Sequence, residues 1–447
     1  METNRRSFLK KVSAGTAGIL ATGATSGMTA KSYGRIVGAN DRMGVAIIGL
    51  GRRLGAFVEP IAIKENNVEL IYLCDVMKSQ RDKASERFAR VLDYSPKLEN
   101  DLKVVLQDAK VDAIFNATPD HWHAPGAVMA MKSGKHVYVE KPCSHNLAED
   151  EMLVAAQKKY SKVVQNGTQQ RSSGHTIEAI NEIRNGAIGT PYKALAFYTS
   201  GRGEVPHQKK VPVPDGLDWN LFQGPAPRRE YTSETWDYNW HWYDWDYGTA
   251  EAGNNGTHEL DVARWALGVD LPIHVDVQAE KSHFVNDGWT MYDNMLATLR
   301  YKDDKVIYWD GNSRNGFQTY GYDRGTIIYG SEGSVFVNRS IYILYSRNGQ
   351  VVKRGGGRGT EAGNTLGGGG DMTTAHVVNF FDAIRGKAKL TAPINEGVIS
   401  QALVHYSNIA YRIGQGFDID DKTGKIFNRE AMKLWGRTYE PGWEPTV

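Results

Sequence analysis

Residues 114–144 read IFNATPDHWHAPGAVMAMKSGKHVYVEKPCS, and the order of textures along them decides the fold. Val111-Asp112-Ala113-Ile114-Phe115 is an apolar run with the length of a buried strand. Thr118-Pro119-Asp120 makes a turn. The apolar periodicity after it predicts a helix from about His123 to Ser133, broken by Gly134-Lys135. His136-Val137-Tyr138-Val139 is a second β-branched run and stops at Glu140-Lys141-Pro142. Strand, helix, strand forms one right-handed crossover, so both strands end at the same edge of a parallel sheet. Ligands of such sheets sit beyond the carboxyl ends of the strands. Thr118, His123, Glu140 and Lys141, with Pro119 in the turn, are expected to converge on one pocket.

Upstream, Met43–Ile48 is another buried run and leads into Gly49-Leu50-Gly51-Arg52-Arg53-Leu54-Gly55. The spacing G-x-G-x-x-x-G is one residue longer than the usual dinucleotide fingerprint. Gly49 would make the tight turn, Gly51 would let the backbone approach a pyrophosphate, and the helix N-terminus beyond would supply N–H donors. Leu70–Cys74 is the next strand, and Asp75 closes it. A carboxylate there accepts both ribose hydroxyls of an adenosine and repels a 2′-phosphate, which favours NAD over NADP. Arg52 and Arg53 would neutralise phosphates and keep that preference incomplete.

The A-T-P-x-x-x-H turn at Ala117–His123, followed by Glu140-Lys141-Pro142 at a strand end, resembles the Gfo/Idh/MocA family of nicotinamide-dependent oxidoreductases of sugars and polyols. The resemblance implies an N-terminal Rossmann domain and a C-terminal α+β domain with a mostly antiparallel open sheet. It sets Lys141 between nicotinamide and substrate and carries Asn166 over as a cofactor contact. The family pattern D-x-G-x-H-x-x-D places a catalytic histidine where His258 stands. Here Asn254 replaces the leading aspartate, which removes an anionic partner from the imidazole. Asn255-Gly256-Thr257-His258 is also similar to the x-x-T-H stretch of the related NAD-dependent α-N-acetylgalactosaminidases, with Asn255-Gly256 in place of their Tyr-Pro. In those enzymes a sugar hydroxyl is oxidised transiently, an elimination follows, and the cofactor is restored. Lys141 and His258 are thus the candidate catalytic pair, with Asn254 and Thr257 beside them on the substrate side.

Residues 236–247 pack Trp236, Tyr238, Trp240, His241, Trp242, Tyr243, Trp245 and Tyr247 together. No strand or helix period fits them, so a loop is expected, with Trp240 and Tyr243 forming a wall for a sugar's apolar C–H face. Residues 78–110 read as two charged helices around Tyr94-Ser95-Pro96. After residue 169, runs at 192–199, 274–280, 293–301, 305–310, 325–329 and 334–338 follow without intervening helices, as in an antiparallel sheet. Gly355–Gly359 and Gly367–Gly370 read as loops. Helices near 375–385 and 396–411 are expected to brace this second domain. The domain boundaries follow as 1–35, 36–168 and 169–447.

Asn4-Arg5-Arg6-Ser7-Phe8-Leu9-Lys10, followed by a mildly apolar Ala/Gly/Thr stretch, reads as a twin-arginine export signal, with a periplasmic destination in a diderm bacterium. That route carries folded proteins with cofactors inside. Free nicotinamide should be scarce there, so an exported member is expected to keep its NAD and recycle it. Two cysteines in 447 residues give no disulfide framework or Cys-rich metal motif. No metal is expected. A net charge of +2 gives no reason to expect a nucleic-acid partner, and the stretch from Val12 to about Ala30 is too short and Gly/Ala-rich for a membrane span. The expected partners are a small carbohydrate and, through the second sheet, further copies of the chain. Two further readings stay open: a redox-neutral glycosidase or lyase, and a non-catalytic sugar-binding protein.

Overall fold

Met43–Ile48 (β1) is buried over its whole length, as expected of a central strand in a parallel sheet covered on both faces. The computed structural model describes residues 41–233, 235–356 and 370–447, so the twin-arginine stretch lies outside the described residues. Strands Val68–Cys74 (β2), Lys97–Glu99 (β3), Ala113–Asn116 (β4), His136–Val139 (β5) and Val164–Asn166 (β6) complete a six-stranded sheet in the order β3-β2-β1-β4-β5-β6. All its pairings are parallel. The chain winds outward from β1 to β3, then restarts on the other side at β4. The crevice left at that reversal opens beyond Ile48 and Asn116.

Between 78 and 110 the expected helix pair is Lys78–Phe88 and Leu102–Gln107, with β3 between them. Three residues with one apolar side chain gave no period to read. The helix expected from His123 starts at Asp120, because His121, Trp122 and His123 are themselves buried.

One face of this sheet is closed from far along the chain. Phe57, Phe115 and Tyr138 pack with Val377, Phe380 and Phe381 of the helix Gly370–Ile384. This helix was expected to brace the second domain. Its i, i+3, i+4 apolar stripe instead covers the first sheet, and burial of each such aromatic contributes roughly 1.5–3 kcal/mol. The helix Ile394–Ile413 contributes to the cores beneath both sheets.

The second sheet has nine strands in the order β14-β13-β12-β11-β7-β10-β9-β8-β15. They are Pro191–Thr199 (β7), His274–Glu280 (β8), Asn294–Arg300 (β9), Val306–Asn312 (β10), Arg324–Gly330 (β11), Gly333–Val337 (β12), Ile341–Ser346 (β13), Val351–Gly356 (β14) and Phe417–Asp418 (β15). Every pairing is antiparallel except β7 with β10. The strict alternation of burial along β10 marks one covered face, against which the helix Thr257–Leu267 packs. Strands β13, β14 and β15 were not anticipated. Gly355 and Gly356, expected in a loop, end β14, where Gly355 lies against the ring of Tyr342 and leaves no room for a Cβ. The rest of the first glycine stretch and residues 367–369 of the second lie outside the described residues, and Gly370 opens a helix.

Candidate active site

A cavity of about 810 Å³ spans the carboxyl ends of the parallel strands and the near edge of the second sheet. Its floor is the glycine turn. Gly49 has φ +89, and a Cβ there would come within 2.4 Å of the Ala117 carbonyl oxygen, so glycine is required on both counts. Asp75 ties this turn to the end of β2: Leu50 N–H donates to Oδ2 at 2.7 Å and Met77 N–H to Oδ1 at 2.8 Å. Burial raises the Asp75 pKa. Asp75 lines the cavity with these bonds already made.

Gly51 also lines the cavity, and a Cβ on it would meet no protein atom within 4 Å. Arg53 donates from Nε to Glu140 Oε1 at 2.7 Å, while its Nη2 is buried with no acceptor. An open approach to bare backbone beside an orphaned guanidinium N–H fits the pyrophosphate of a dinucleotide. Arg52 spreads its guanidinium over the ring of Tyr238, 3.9 Å from the centroid, with Asp237 3.6 Å away.

The 117–123 turn and the 140–142 strand end are bolted together. Thr118 Oγ1 donates to Asn116 Oδ1 at 2.7 Å, and Asn116 Nδ2 donates to the His123 carbonyl at 2.9 Å. His123 Nδ1 donates to the Pro142 carbonyl at 2.6 Å. Burial pulls the His123 pKa down to about 4, so the ring is neutral and acts as a brace. Glu140 also accepts from Gln169 Nε2 at 3.2 Å. Thr118, Pro119, His123, Glu140 and Lys141 all reach the cavity wall.

Lys141 Nζ donates to the Asn254 carbonyl at 2.5 Å and stands 3.5 Å from Asn254 Oδ1. Burial lowers its pKa to about 8, against the opposing charges of Asp120 and Glu140. Asn254 lies in the π-helical turn Ala252–Gly256, and His258 lies in the first turn of the helix that follows. His258 is buried with Nδ1 unpartnered. Burial, then the charges of Arg339 and Lys141, depress its pKa well below the usual histidine range. Lys141, Asn254 and His258 meet on one wall although they come from two different domains.

The expected aromatic loop is instead a π-helical turn, Thr235–Asn239, running into a short α-helix, Trp240–Tyr243. Trp236, Tyr238, Trp240 and His241 line the cavity, with His241 stacked on Trp240 at 3.6 Å between centroids. Trp242 and Tyr243 face the other way. Trp242 stacks on Trp289, and Tyr243 sits in the core with its hydroxyl on the Pro206 carbonyl at 3.2 Å. Packing demand, rather than a sugar, explains half of this cluster.

Three expected contacts therefore fall outside the cavity wall. Tyr243 is core. Thr257 spends its hydroxyl on the Gly253 carbonyl at 3.0 Å, joining the π turn to the helix. Asn166 is fully buried against Gly397 at the end of β6, and its carbonyl accepts from His376 Nε2 at 2.9 Å.

Sequence reasoning also missed several residues. Asp120, behind the 117–119 turn, accepts from Thr249 Oγ1 at 2.6 Å, and burial raises its pKa to about 7. Arg202, Arg324 and Arg339 come from the second sheet and its connections. Asp120 was legible as the acidic residue within the motif turn. The arginines carried no signal, since single basic residues beside strands read as surface charge. Among the described residues, no cluster of three or more His, Cys, Asp or Glu side chains is arranged to hold a metal ion, and none of the helices is long and apolar enough to cross a membrane. Both cysteines are free and buried.

A Rossmann sheet with a glycine turn at its switch point, facing a lysine and a histidine across one cavity, defines a dinucleotide-dependent oxidoreductase. Residues 43–168 match the model of the oxidoreductase family NAD-binding Rossmann fold, and residues 178–351 match that family's C-terminal alpha/beta domain. The chain belongs to the Gfo/Idh/MocA oxidoreductase family, and its first domain is that family's NAD-binding Rossmann domain. It is 26% identical over 246 residues to an uncharacterized oxidoreductase, YrbE, of Bacillus subtilis, covering 54% of this chain and 60% of that one. It is 28% identical over 244 residues to a glycosyl hydrolase family 109 protein of Parabacteroides distasonis, covering 51% and 50%. The matched region thus spans about half to three fifths of these relatives. The fold is shared with the aldose-aldose oxidoreductase of Caulobacter crescentus solved with glycerol, at a TM-score of 0.63 and 17% identity, over 85% of this chain and 100% of that one.

Proposed function

We propose that the protein is an exported oxidoreductase acting on a sugar or glycoside hydroxyl or keto group, which retains NAD and recycles it within each catalytic cycle by passing the hydride taken from one sugar hydroxyl to the keto group of a second sugar. The observation that carries this reading is the half-buried Lys141, set with Asn254 and His258 on the wall of the same cavity as the glycine turn. Gly49, Gly51, Arg52, Arg53 and Asp75 would hold the cofactor, with the 117–119 turn and Glu140 beside them. Bound NAD supplies the hydride acceptor. Asp75 at the end of β2 supports NAD over NADP, since the negative charge of a 2′-phosphate there would meet a half-buried carboxylate.

The chain's own work is on the proton. A lysine with a pKa of about 8 is neutral in about a tenth of molecules at neutral pH, enough for a general base. The Asn254 carbonyl fixes Nζ in place. Neutral His258 is a hydrogen-bonding group that orients the hydroxyl whose proton Lys141 takes. Trp236 offers an apolar face to a sugar ring, and Tyr238 and Trp240, each with one ring face already covered by Arg52 or His241, help to exclude water. Export rests on the twin-arginine sequence at Arg5-Arg6 and supports the retained-cofactor cycle.

The similarity to glycosyl hydrolase family 109 proteins favours a second reading, redox-neutral cleavage of a glycoside. There a sugar carbon is oxidised, the neighbouring C–H gives up its proton, the glycosidic oxygen leaves, water adds, and the carbon is reduced again. Aryl glycosides separate the two readings. Release of the aryl alcohol with no net change in nicotinamide absorbance indicates cleavage, and reduced nicotinamide with the glycosidic bond intact, reoxidised when a keto sugar is added, indicates paired oxidation and reduction. Lys141→Met should lower either activity by at least about a hundredfold. Turnover that survives this substitution contradicts both readings.

A further inference from the structure

Arg339 lies in the turn between β12 and β13, is only 6% exposed, and lines the cavity. The other four guanidinium groups on the wall each have an anion: Arg52 with Asp237, Arg53 with Glu140, Arg202 with Glu251 at 3.3 Å, and Arg324 with Glu259 at 2.9 Å. Among the described residues, Arg339 has none, and its Nε is buried without an acceptor.

Its position is nevertheless built. His175 Nε2 donates to the Asn338 carbonyl at 2.9 Å, and Asn338 Oδ1 accepts from the Ser340 and Ile341 N–H groups at 2.9 and 3.0 Å. A buried guanidinium without a counter-charge is costly. Here burial and the neighbouring Arg324 charge pull its pKa down to about 9. A fold that fixes such a group on a ligand cavity is complementary to an anion the ligand brings. That anion is not the dinucleotide pyrophosphate, which belongs at the glycine turn beside Arg52 and Arg53. Arg339 comes from the second sheet, as Arg324 does, and its charge reaches His258 more strongly than that of Lys141 does.

Building on the oxidoreductase reading above, we propose that Arg339 is a specificity residue for an oxyanion on the sugar, and that the substrate is a sugar acid or a glycoside of one. Among the described residues, Arg339 is the one guanidinium on the wall without an ion pair, because Glu259, whose charge also reaches it, is already bonded to Arg324. One charge suits a carboxylate monoanion, whose two oxygens fit the planar guanidinium, better than a phosphate dianion.

The test is titration of the NAD-loaded protein with matched pairs, glucuronate against glucose and galacturonate against galactose, together with glucose 6-phosphate. Binding is read by calorimetry and retained NAD by release on denaturation. The acid of at least one pair should bind roughly ten- to a hundredfold tighter than its neutral partner. Arg339→Met should level the pair without changing retained NAD. Arg339→Lys should keep part of the preference, and it serves in place of the methionine variant if that one does not fold. Equal binding within both pairs, or a preference that survives Arg339→Met, overturns the assignment and leaves the oxidoreductase reading standing. Tighter binding of glucose 6-phosphate than of either uronate overturns the carboxylate in favour of a phosphate. Loss of NAD with the Arg339→Met substitution makes Arg339 a cofactor residue. Bound nicotinamide that no sugar, acid or neutral, ever reduces or oxidises sinks the oxidoreductase reading itself, and this assignment with it.

Discussion

Asp120→Asn tests the lysine without touching it. Lys141 is held at about 8 against an ordinary 10.5, a preference for the neutral amine of about 3 kcal/mol. Burial is the largest cause, and the Asp120 carboxylate is the first of the charges that oppose it. The amide keeps the volume and an oxygen for the Thr249 hydroxyl, now 2.6 Å away. What it removes is the negative charge that favours the ammonium. The Lys141 pKa should therefore fall further, by up to about one unit. The effect is capped because Asp120, with a pKa raised to about 7, is itself only partly charged near neutrality. If the neutral amine is the base, kcat/KM of the native protein climbs about tenfold per pH unit up to about pH 8 and then levels. In the variant the upper part of the limb shifts to lower pH, so activity between about pH 7 and about pH 8 rises relative to the plateau, while near about pH 6, where Asp120 is already mostly protonated, the two profiles converge. The assay is hydride transfer, followed by nicotinamide absorbance between about pH 6 and about pH 9. An inflection that stays in place or moves upward refutes the coupling, and a flat native profile refutes Lys141 as the titrating base.

Two further expectations concern the cofactor cradle and the frame around it. Gly51→Ala places a methyl where no protein atom lies within 4 Å, on a residue with φ −73; thermal stability should change by less than about 1 kcal/mol, while retained NAD falls at least about tenfold. Arg171 makes two 2.8 Å bonds to buried Asp261 on the His258 helix. Arg171→Met should cost about 3–5 kcal/mol in denaturant unfolding, because the carboxylate is left buried without its partner; a loss below about 1 kcal/mol would show the pair to be dispensable.

The Rossmann half was legible because each of its signals is local. Glycines at Gly49 and Gly51, a strand ending in Asp75, and Lys141 at the end of another strand sit beside the features that give them meaning. Strand β3 was hidden because Lys97–Glu99 is too short to show a period. In the aromatic stretch, composition announced a wall but not which rings form it. Trp240 and Tyr243 stand at the two ends of a four-residue helix, where one lines the cavity and the other packs in the core, a difference that neither residue type nor spacing shows. Asn166 was carried over from the end of a strand, yet Gly397 on a distant helix packs against it and closes that approach. Arg324 and Arg339 join the site only through the pairing of β11, β12 and β13, a long-range register that no local pattern encodes. The covering of the first sheet by Phe380 and Phe381 is unreadable for the same reason.

The most direct measurement is the nicotinamide content of the protein purified without added cofactor, denatured, and analysed by absorbance and mass. NAD should come out close to one per chain, with its redox state restored once each catalytic cycle is complete. Protein that comes out empty, and that reduces added NAD with a free sugar, would contradict the retained-cofactor cycle and leave an ordinary dehydrogenase.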